Sequence, residues 1–281
     1  MEELSCVKAF GGYNRRYKHS SKVCGCDMNF HIYFPPQSDK KAVPVVYYLS
    51  GLTCTDENVI VKSGVQRQAA ELGIAVIAPD TSPRGLNVEG ESDSWDFGVG
   101  AGFYVNATNP KWKNWQMYEY VTEELPTLLG HEFGGLKLDL SNSAIMGHSM
   151  GGHGALVIAL KNPGKFKSVS AFAPVSHPTQ CPWGEKAFSN YLGEDKEAWK
   201  EYDATELTLN YTGPTFPVLI DQGSDDSFYD VQLKVHDLAH ALLLKKFPCS
   251  VRMQPGYDHS YFFIASFMAD HMAWHAKALL Q

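Results

Sequence analysis

The sequence predicts an α/β protein with a mostly parallel central sheet and helices on both of its faces. Three observations support this fold class. Short runs that are apolar on both faces recur along the chain, as is typical of strands covered on both sides. Helical patterns separate these runs, and this alternation indicates an open α/β sheet. No linker or repeat interrupts the 281 residues, so we expect a single domain over residues 1–281.

The predicted elements follow one another in a regular order. Residues 22–36 alternate and end at a Pro-Pro pair, which predicts a strand leaving an N-terminal hairpin. Apolar runs predict further strands at 43–49, 74–79, 143–148, 168–175, 217–223 and 250–256. Helices are expected at about 59–72, 116–131, 150–161, 230–246 and 260–279.

Two long segments, 80–115 and 176–216, break the alternation. Loops of this length in a compact domain are commonly functional. Because both segments follow strands, we expect them at the carboxyl edge of the sheet, where open α/β sheets bind ligands.

Composition excludes several classes of function. The net charge is −7 and no basic stripe is present, so a nucleic-acid partner is not expected. No apolar run is long enough to span a membrane, and the opening residues MEELSCVKAF lack the pattern of a signal peptide. We therefore expect a cytoplasmic protein whose six cysteines are reduced. Without a C-x-x-C or H-E-x-x-H motif, no metal site is expected.

The segment Gly147 to Gly151, GHSMG, matches the G-x-S-x-G pattern. An apolar strand precedes it, and a helix of small residues begins at Met150. This strand–turn–helix context predicts the nucleophile elbow of the α/β-hydrolase fold, with Ser149 as the nucleophile. The alternative interpretation is a glycine-rich turn with an incidental serine.

A serine hydroxyl needs a base and an orienting acid to act as a nucleophile. In this fold the chain order is serine, then acid, then histidine. Asp226, three residues past Gly223, is the predicted acid, and Asp225 is the alternative. His259 lies in the loop after the last predicted strand and is the predicted base. Both aspartates could instead cap the following helix.

Acyl transfer also requires hydrogen-bond donors for an oxyanion. The backbone amides of Met150 and Leu52 are the predicted donors, since Gly51 allows the backbone to approach the substrate closely. Cys54 is expected beside the pocket as a small buried residue. The remaining predicted pocket residues are Trp95, Phe97, Phe103, His148 and Trp183. For the aromatic residues, ordinary loop packing is the alternative.

Several long segments resemble the S-formylglutathione hydrolase family, also known as the esterase D family. They include YYLSGLTCTDEN, SWDFGVGAGFYVNAT, GHSMGGHGAL, LIDQGSDDSF and GYDHSYFFIASF, and the resemblance runs from about Phe10 to the C-terminus. It implies a cytoplasmic serine thioesterase, without a cofactor, that hydrolyses S-formylglutathione to formate and glutathione in formaldehyde detoxification. It further implies a formyl-enzyme intermediate, activity on short acyl esters, a homodimer, and sensitivity to thiol reagents at Cys54.

The family's catalytic triad falls on Ser149, Asp226 and His259, and its oxyanion donors fall on Leu52 and Met150. Alternatives are a carboxylesterase or acyltransferase of the same fold, or a non-catalytic binding protein with a hydrolase fold. The residues that contact glutathione are not fixed by these motifs. Lys62 and Arg84 are candidate cations for the anionic tripeptide.

Overall fold

The computed structural model describes all 281 residues, Met1 to Gln281, and its central feature is a nine-stranded sheet. The strands are β1 (Glu2–Ala9), β2 (Gly12–Ser20), β3 (Asp27–Phe34), β4 (Val43–Leu49), β5 (Ala75–Pro79), β6 (Leu138–His148), β7 (Val169–Phe172), β8 (Val218–Gly223) and β9 (Cys249–Gln254). Their spatial order is β1-β2-β3-β5-β4-β6-β7-β8-β9. The first three pairings in this order are antiparallel and the remaining five are parallel, which confirms the predicted fold class.

Helices connect the strands. They are α1 (Asn58–Lys62), α2 (Val65–Leu72), α3 (Met117–Glu119), α4 (Leu125–Phe133), α5 (Met150–Lys161), α6 (Pro182–Tyr191), α7 (Lys196–Trp199), α8 (Ala204–Leu209), α9 (Val235–Leu244) and α10 (Tyr261–Leu279). None of them combines the length and the apolar composition that a membrane-spanning helix requires.

Adjacent residues of β7 place helices on opposite faces of the sheet. The hydroxyl of Ser170 bonds to His271 and His275 of α10. The next residue, Ala171, approaches Gly152 of α5. Because successive side chains of a strand point to opposite faces, α10 and α5 cover different sides of the sheet, as predicted.

The first predicted strand is shorter than expected. Residues 22–36 were predicted to be extended, but β3 begins only at Asp27. Residues 21–26 form a turn closed by hydrogen bonds between the backbones of Ser21 and Cys26 and of Gly25 and Ser21.

Three predicted helices are interrupted. The helix expected at 59–72 divides at Gly64, whose φ of +70° is incompatible with a continuous helix. Those expected at 116–131 and 230–246 contain π-helical segments, Tyr120–Glu124 and Tyr229–Leu233. The segment 176–216 is not an irregular loop, because it contains α6, α7 and α8.

The carboxyl ends of the parallel strands meet at one edge of the sheet. The loops that leave β4, β6, β8 and β9 at this edge carry Leu52, Ser149, Asp226 and His259 respectively. The fold therefore gathers four segments that lie far apart in the chain.

Candidate active site

Ser149 lies on a turn that contains a single residue. Strand β6 ends at His148 and α5 begins at Met150, so Ser149 alone reverses the chain direction. Its backbone angles, φ +55° and ψ −118°, are rarely adopted by residues with a side chain. A side chain at Gly151 would collide with the carbonyl oxygen of Leu49. The glycine therefore lets α5 lie directly against β4 and keeps this turn tight.

His259 and Asp226 are joined by a short hydrogen bond. The distance from His259 Nδ1 to Asp226 Oδ2 is 2.6 Å. The Asp226 carboxylate is buried, and it also accepts hydrogen bonds from Gln222 Nε2 at 3.1 Å and from the Phe228 amide at 2.9 Å. Because an ionised carboxylate only accepts, Nδ1 carries the proton and Nε2 is free to accept one. The neighbouring Asp225 is exposed and makes no hydrogen bond with His259.

Ser149 and His259 line one small cavity of about 190 Å³. Its lining residues are Leu52, Thr53, Cys54, Trp95, His148, Ser149, Trp183, Phe228 and His259. The two side chains share the cavity without a direct hydrogen bond. Bonds between a nucleophile and its base are commonly long before substrate binds and tighten in the complex.

Three aromatic side chains from different segments cover the cavity. Trp183 meets Trp95 edge to face with ring centroids 5.7 Å apart, and it packs on Phe228 at 4.7 Å. Phe228 in turn contacts the His259 ring at 5.1 Å. Trp183 is buried, whereas Trp95 is 55% exposed and lies at the cavity mouth.

Two residues that line the cavity, Thr53 and Phe228, were not predicted from the sequence. Phe228 follows Asp226 by two positions in the same loop, and this proximity is the signal that could have found it. Thr53 lies between the predicted residues Leu52 and Cys54, so its place in the lining follows from theirs.

Phe97 and Phe103 were expected in the pocket, but neither lines the cavity. Phe97 stacks on Tyr191 with centroids 4.7 Å apart. Phe103 packs against Phe188 at 6.4 Å, and its carbonyl oxygen lies 2.8 Å from His153 Nε2. Both rings are buried in the core, because the segment 80–115, which carries them, folds back onto α5 and α6.

The loop after β4 passes directly over Ser149. A Cβ atom at Gly51 would lie 3.1 Å from the Cβ of Ser149. The backbone amides of Leu52, in this loop, and of Met150, at the start of α5, have no hydrogen-bond partner within the protein. The site therefore has two free backbone donors close to the serine.

Arg84 holds this loop rather than facing the cavity. Its guanidinium bonds both carboxylate oxygens of Asp80, at 2.8 and 2.9 Å, and the carbonyl oxygen of Cys54 at 3.1 Å. The Thr81 hydroxyl bonds the same carbonyl at 2.5 Å. Arg84 is thus bound to Asp80 and to the Cys54 carbonyl and does not line the cavity, unlike the cation for glutathione that was expected there.

Two ionisable residues of the lining stay uncharged at neutral pH. Burial raises the pKa of the Cys54 thiol, so Cys54 remains a thiol rather than a nucleophilic thiolate. Burial, together with the repulsion that His148 and His259 would exert on each other if both were protonated, holds the pKa of His148 well below its usual range. The His148 ring lies 4.5 Å from that of His259, and neither of its nitrogens has a hydrogen-bond partner.

Comparison with known proteins identifies the family. A family model described as "Putative esterase" matches residues 21–275. The S-formylglutathione hydrolase of Arabidopsis thaliana is 58% identical over 280 residues, which is 99% of this chain and 98% of the plant protein. That of Rattus norvegicus is 55% identical over 281 residues, with 99% of both chains covered. This chain belongs to the S-formylglutathione hydrolase family.

A solved structure of the S-formylglutathione hydrolase family supports the same assignment. The hydrolase from Agrobacterium tumefaciens matches with a TM-score of 0.95 at 48% identity, covering 99% of this chain and 100% of that one. The α/β-hydrolase fold predicted from the sequence is therefore confirmed. No group of three or more His, Cys, Asp or Glu side chains is arranged to hold a metal ion.

Proposed function

We propose that this protein is a serine thioesterase that hydrolyses S-formylglutathione to formate and glutathione, as in formaldehyde detoxification, without a cofactor. The observation that carries the proposal is the cavity shared by Ser149 and by a His259 that is hydrogen-bonded to a buried carboxylate. The relatives that match 99% of this chain are S-formylglutathione hydrolases, and this supports the choice of substrate.

In the first step, His259 Nε2 takes the proton of the Ser149 hydroxyl while Oγ attacks the formyl carbon. Asp226 keeps the proton on Nδ1 and stabilises the imidazolium that forms. The carbonyl oxygen becomes an oxyanion, which the amides of Leu52 and Met150 stabilise by hydrogen bonds. The carbon–sulfur bond then breaks, and the departing sulfur receives the proton from His259.

In the second step, water attacks the formyl-enzyme. His259 accepts a proton from the water and returns it to Ser149 Oγ when the new ester bond breaks, which releases formate. A thiol has a pKa of about 8.5 and its thiolate leaves readily, so we expect this second step to limit the rate.

The size of the cavity supports a small acyl group. Its volume of about 190 Å³ is below the roughly 300–1,000 Å³ of pockets that enclose whole drug-sized ligands. Trp183 and Phe228 close it on one side. A formyl or acetyl group suits such a space better than a long acyl chain.

The test is hydrolysis of S-formylglutathione, followed by the loss of thioester absorbance, with the Ser149→Ala variant as the comparison. We expect turnover by the native protein and a fall in kcat of about a millionfold in the variant. Substantial turnover by Ser149→Ala would contradict the proposed nucleophile. Absence of turnover by the native protein would contradict the substrate.

A short-chain carboxylesterase activity fits the same site, since its chemistry needs the same groups. Comparing kcat/KM for S-formylglutathione with that for 4-nitrophenyl acetate separates the two activities. A higher value for the oxygen ester would make carboxyl ester hydrolysis the main function. Adding a simple alcohol and measuring ester formation tests the acyltransferase alternative.

A non-catalytic binding protein is the alternative from another class. It is disfavoured by the bond between His259 and Asp226 and by the free amides of Leu52 and Met150, which a pure binding protein does not need. Covalent labelling of Ser149 by a fluorophosphonate, located by mass spectrometry, would exclude it.

The family resemblance extends the proposal to a cytoplasmic, single-domain homodimer. One continuous sheet and one buried hydrophobic cluster support the single domain. Light scattering of the purified protein tests the dimer, and fractionation of the source cells tests the location.

A further inference from the structure

We propose that Lys62 and the groove beside it bind the glutathione part of the substrate through one of its carboxylates. The inference deepens the proposed function and rests on it for the identity of the ligand. Three features support it: the small volume of the catalytic cavity, the position of a second cavity, and a lysine without an ion pair at that position.

The catalytic cavity is too small for the whole substrate. About 190 Å³ accommodates an acyl group and the sulfur, but a tripeptide must extend beyond it. The thiol portion therefore needs a second surface that begins close to His259.

A groove of about 550 Å³ lies in that position. It is lined by Lys62, Ser260, Tyr261, Phe262 and Ala265. Ser260 directly follows His259 in the chain. The Tyr261 ring lies 6.2 Å from that of His148, a lining residue of the catalytic cavity. The groove and the catalytic cavity therefore lie on neighbouring sides of these side chains: His148 and His259 line the cavity, and Tyr261 lines the groove.

Lys62 is the only cation among the residues that line the groove. It forms no ion pair, and its Nζ lies 5.6 Å from the centroid of the Tyr261 ring. The positive charge of Lys62 also lowers the pKa of Cys54, a lining residue of the catalytic cavity, and so offsets part of the increase that burial causes. Lys62 therefore lies in the groove beside Tyr261, whose ring neighbours that of His148 in the catalytic cavity.

Two other cations near the cavity are already paired. Arg84 is bound to Asp80, and Lys186 is bound to Asp96 at 2.5 Å. The Ser260 hydroxyl donates to Asp258 at 2.6 Å. Glutathione carries two carboxylates and one ammonium group at neutral pH, and in a protein of net charge −7 such an anion needs a local positive site. Lys62 supplies it.

The direct test is calorimetric binding of S-methylglutathione, which has no ester bond to hydrolyse. Lys62→Met removes the charge at similar side-chain length, and Lys62→Arg retains it. We expect the Kd to rise about fivefold in Lys62→Met, the upper range for a partly exposed ion pair, and to change little in Lys62→Arg. Lys41→Met is the matched control, because Lys41 is also exposed but lies before β4, at the opposite edge of the sheet.

The diamide of S-methylglutathione, which has no ester bond to hydrolyse, separates charge from shape. We expect it to bind native protein and Lys62→Met with equal affinity, because it lacks the carboxylates. Equal Kd values for S-methylglutathione in native protein, Lys62→Met and Lys41→Met would overturn the proposal, as would undetectable binding to the native protein.

Kinetics distinguish failure of this inference from failure of the proposed function. We expect Lys62→Met to raise KM for S-formylglutathione about fivefold while kcat/KM for 4-nitrophenyl acetate stays unchanged. An equal loss of kcat/KM on S-formylglutathione and on 4-nitrophenyl acetate would assign Lys62 a structural role and contradict the proposed subsite. Absence of S-formylglutathione turnover by the native protein would instead contradict the function, and the binding experiment would still decide the subsite.

Discussion

The Nδ1 atom of His259 lies 2.6 Å from Oδ2 of Asp226, although the two residues are 33 positions apart in the chain. Gln222 and the amide of Phe228 bond the same carboxylate. These additional donors fix the orientation of Asp226, and Asp226 in turn fixes that of the imidazole. The direction of the unprotonated Nε2 is therefore set before any substrate binds.

This arrangement predicts very different effects for two adjacent aspartates. In Asp226→Asn we expect kcat to fall by about 10⁴-fold, because an amide can stabilise the wrong tautomer of His259. Asp225→Asn, the matched control, should stay within about twofold of the native rate, since Asp225 is exposed. Steady-state hydrolysis of 4-nitrophenyl acetate measures both. A larger loss in Asp225→Asn would assign the acid to that residue.

Removing Arg84 should destabilise the protein. The Asp80 carboxylate is 3% exposed, and burial raises its pKa despite the nearby guanidinium. In Arg84→Met we expect the free energy of unfolding to fall by about 3 kcal/mol, because a buried charge loses its partner. The double variant Asp80→Asn/Arg84→Met should recover part of this loss in urea denaturation. Unchanged stability with weaker binding of S-methylglutathione would instead make Arg84 a substrate contact.

Gly51→Ala should slow catalysis without unfolding the protein. The added methyl group would lie 3.1 Å from Ser149 Cβ and 3.2 Å from His148 Nδ1, so the loop must move by a few tenths of an ångström. Displacing the Leu52 amide should lower kcat by about 100-fold, the effect of losing one oxyanion donor.

The control for Gly51→Ala is Gly130→Ala in α4, where the new methyl group would lie 3.7 Å from Leu140 Cδ1, an ordinary contact. We expect native kcat and slightly higher stability there, since alanine favours helix. A native kcat in Gly51→Ala would contradict the proposal that the loop after β4 supplies an oxyanion donor.

Trp183 should determine the length of acyl chain that the cavity accepts. In Trp183→Ala we expect the ratio of kcat/KM for 4-nitrophenyl butyrate to that for the acetate to rise about tenfold, because the enlarged cavity admits the extra methylenes. Phe97→Leu is the control, since Phe97 lies outside the cavity and packs on Tyr191. An equal rise in both variants would indicate a general loosening of the fold.

Buried histidines make stability depend on pH. Burial lowers the pKa of His153 to about 4, whereas an unfolded histidine titrates near 6.5. Between these values the unfolded chain binds a proton that the folded protein does not, so stability should fall as pH decreases from 6.5 to 4. The effect is absent above pH 6.5, where both states are neutral.

His153→Gln tests this contribution and can keep the hydrogen bond to the Phe103 carbonyl. We expect the variant to lose less stability between pH 7 and 5 in urea denaturation, by about 1 kcal/mol per pH unit in the titrating range. Some dependence of stability on pH should remain in the variant. Burial, together with repulsion from His271 when both rings are protonated, lowers the pKa of His275 to about 3. Identical pH slopes in variant and native protein would show that His153 does not contribute.

Local patterns correctly predicted the parallel strands and the helix at Met150, because apolar runs and groups of small residues can be recognised from neighbouring positions in the chain. They failed at Gly64, where one left-handed residue divides a helix, and at residues 176–216, where short helices carry little periodic signal. The two π-helical segments were also not predicted, since such turns are rare and occur as short interruptions of α-helices.

By itself, the sequence determined the α/β architecture and the strand–turn–helix at Ser149, because both follow from side-chain size and spacing over a few residues. It also limited the base and the acid to short loops. Only the tertiary structure decided that Asp226 contacts His259, that Phe228 lines the cavity while Phe97 and Phe103 do not, and that Arg84 is engaged while Lys62 is free. These outcomes depend on how segments tens of residues apart pack against one another, and the space left between them is not encoded in any one segment.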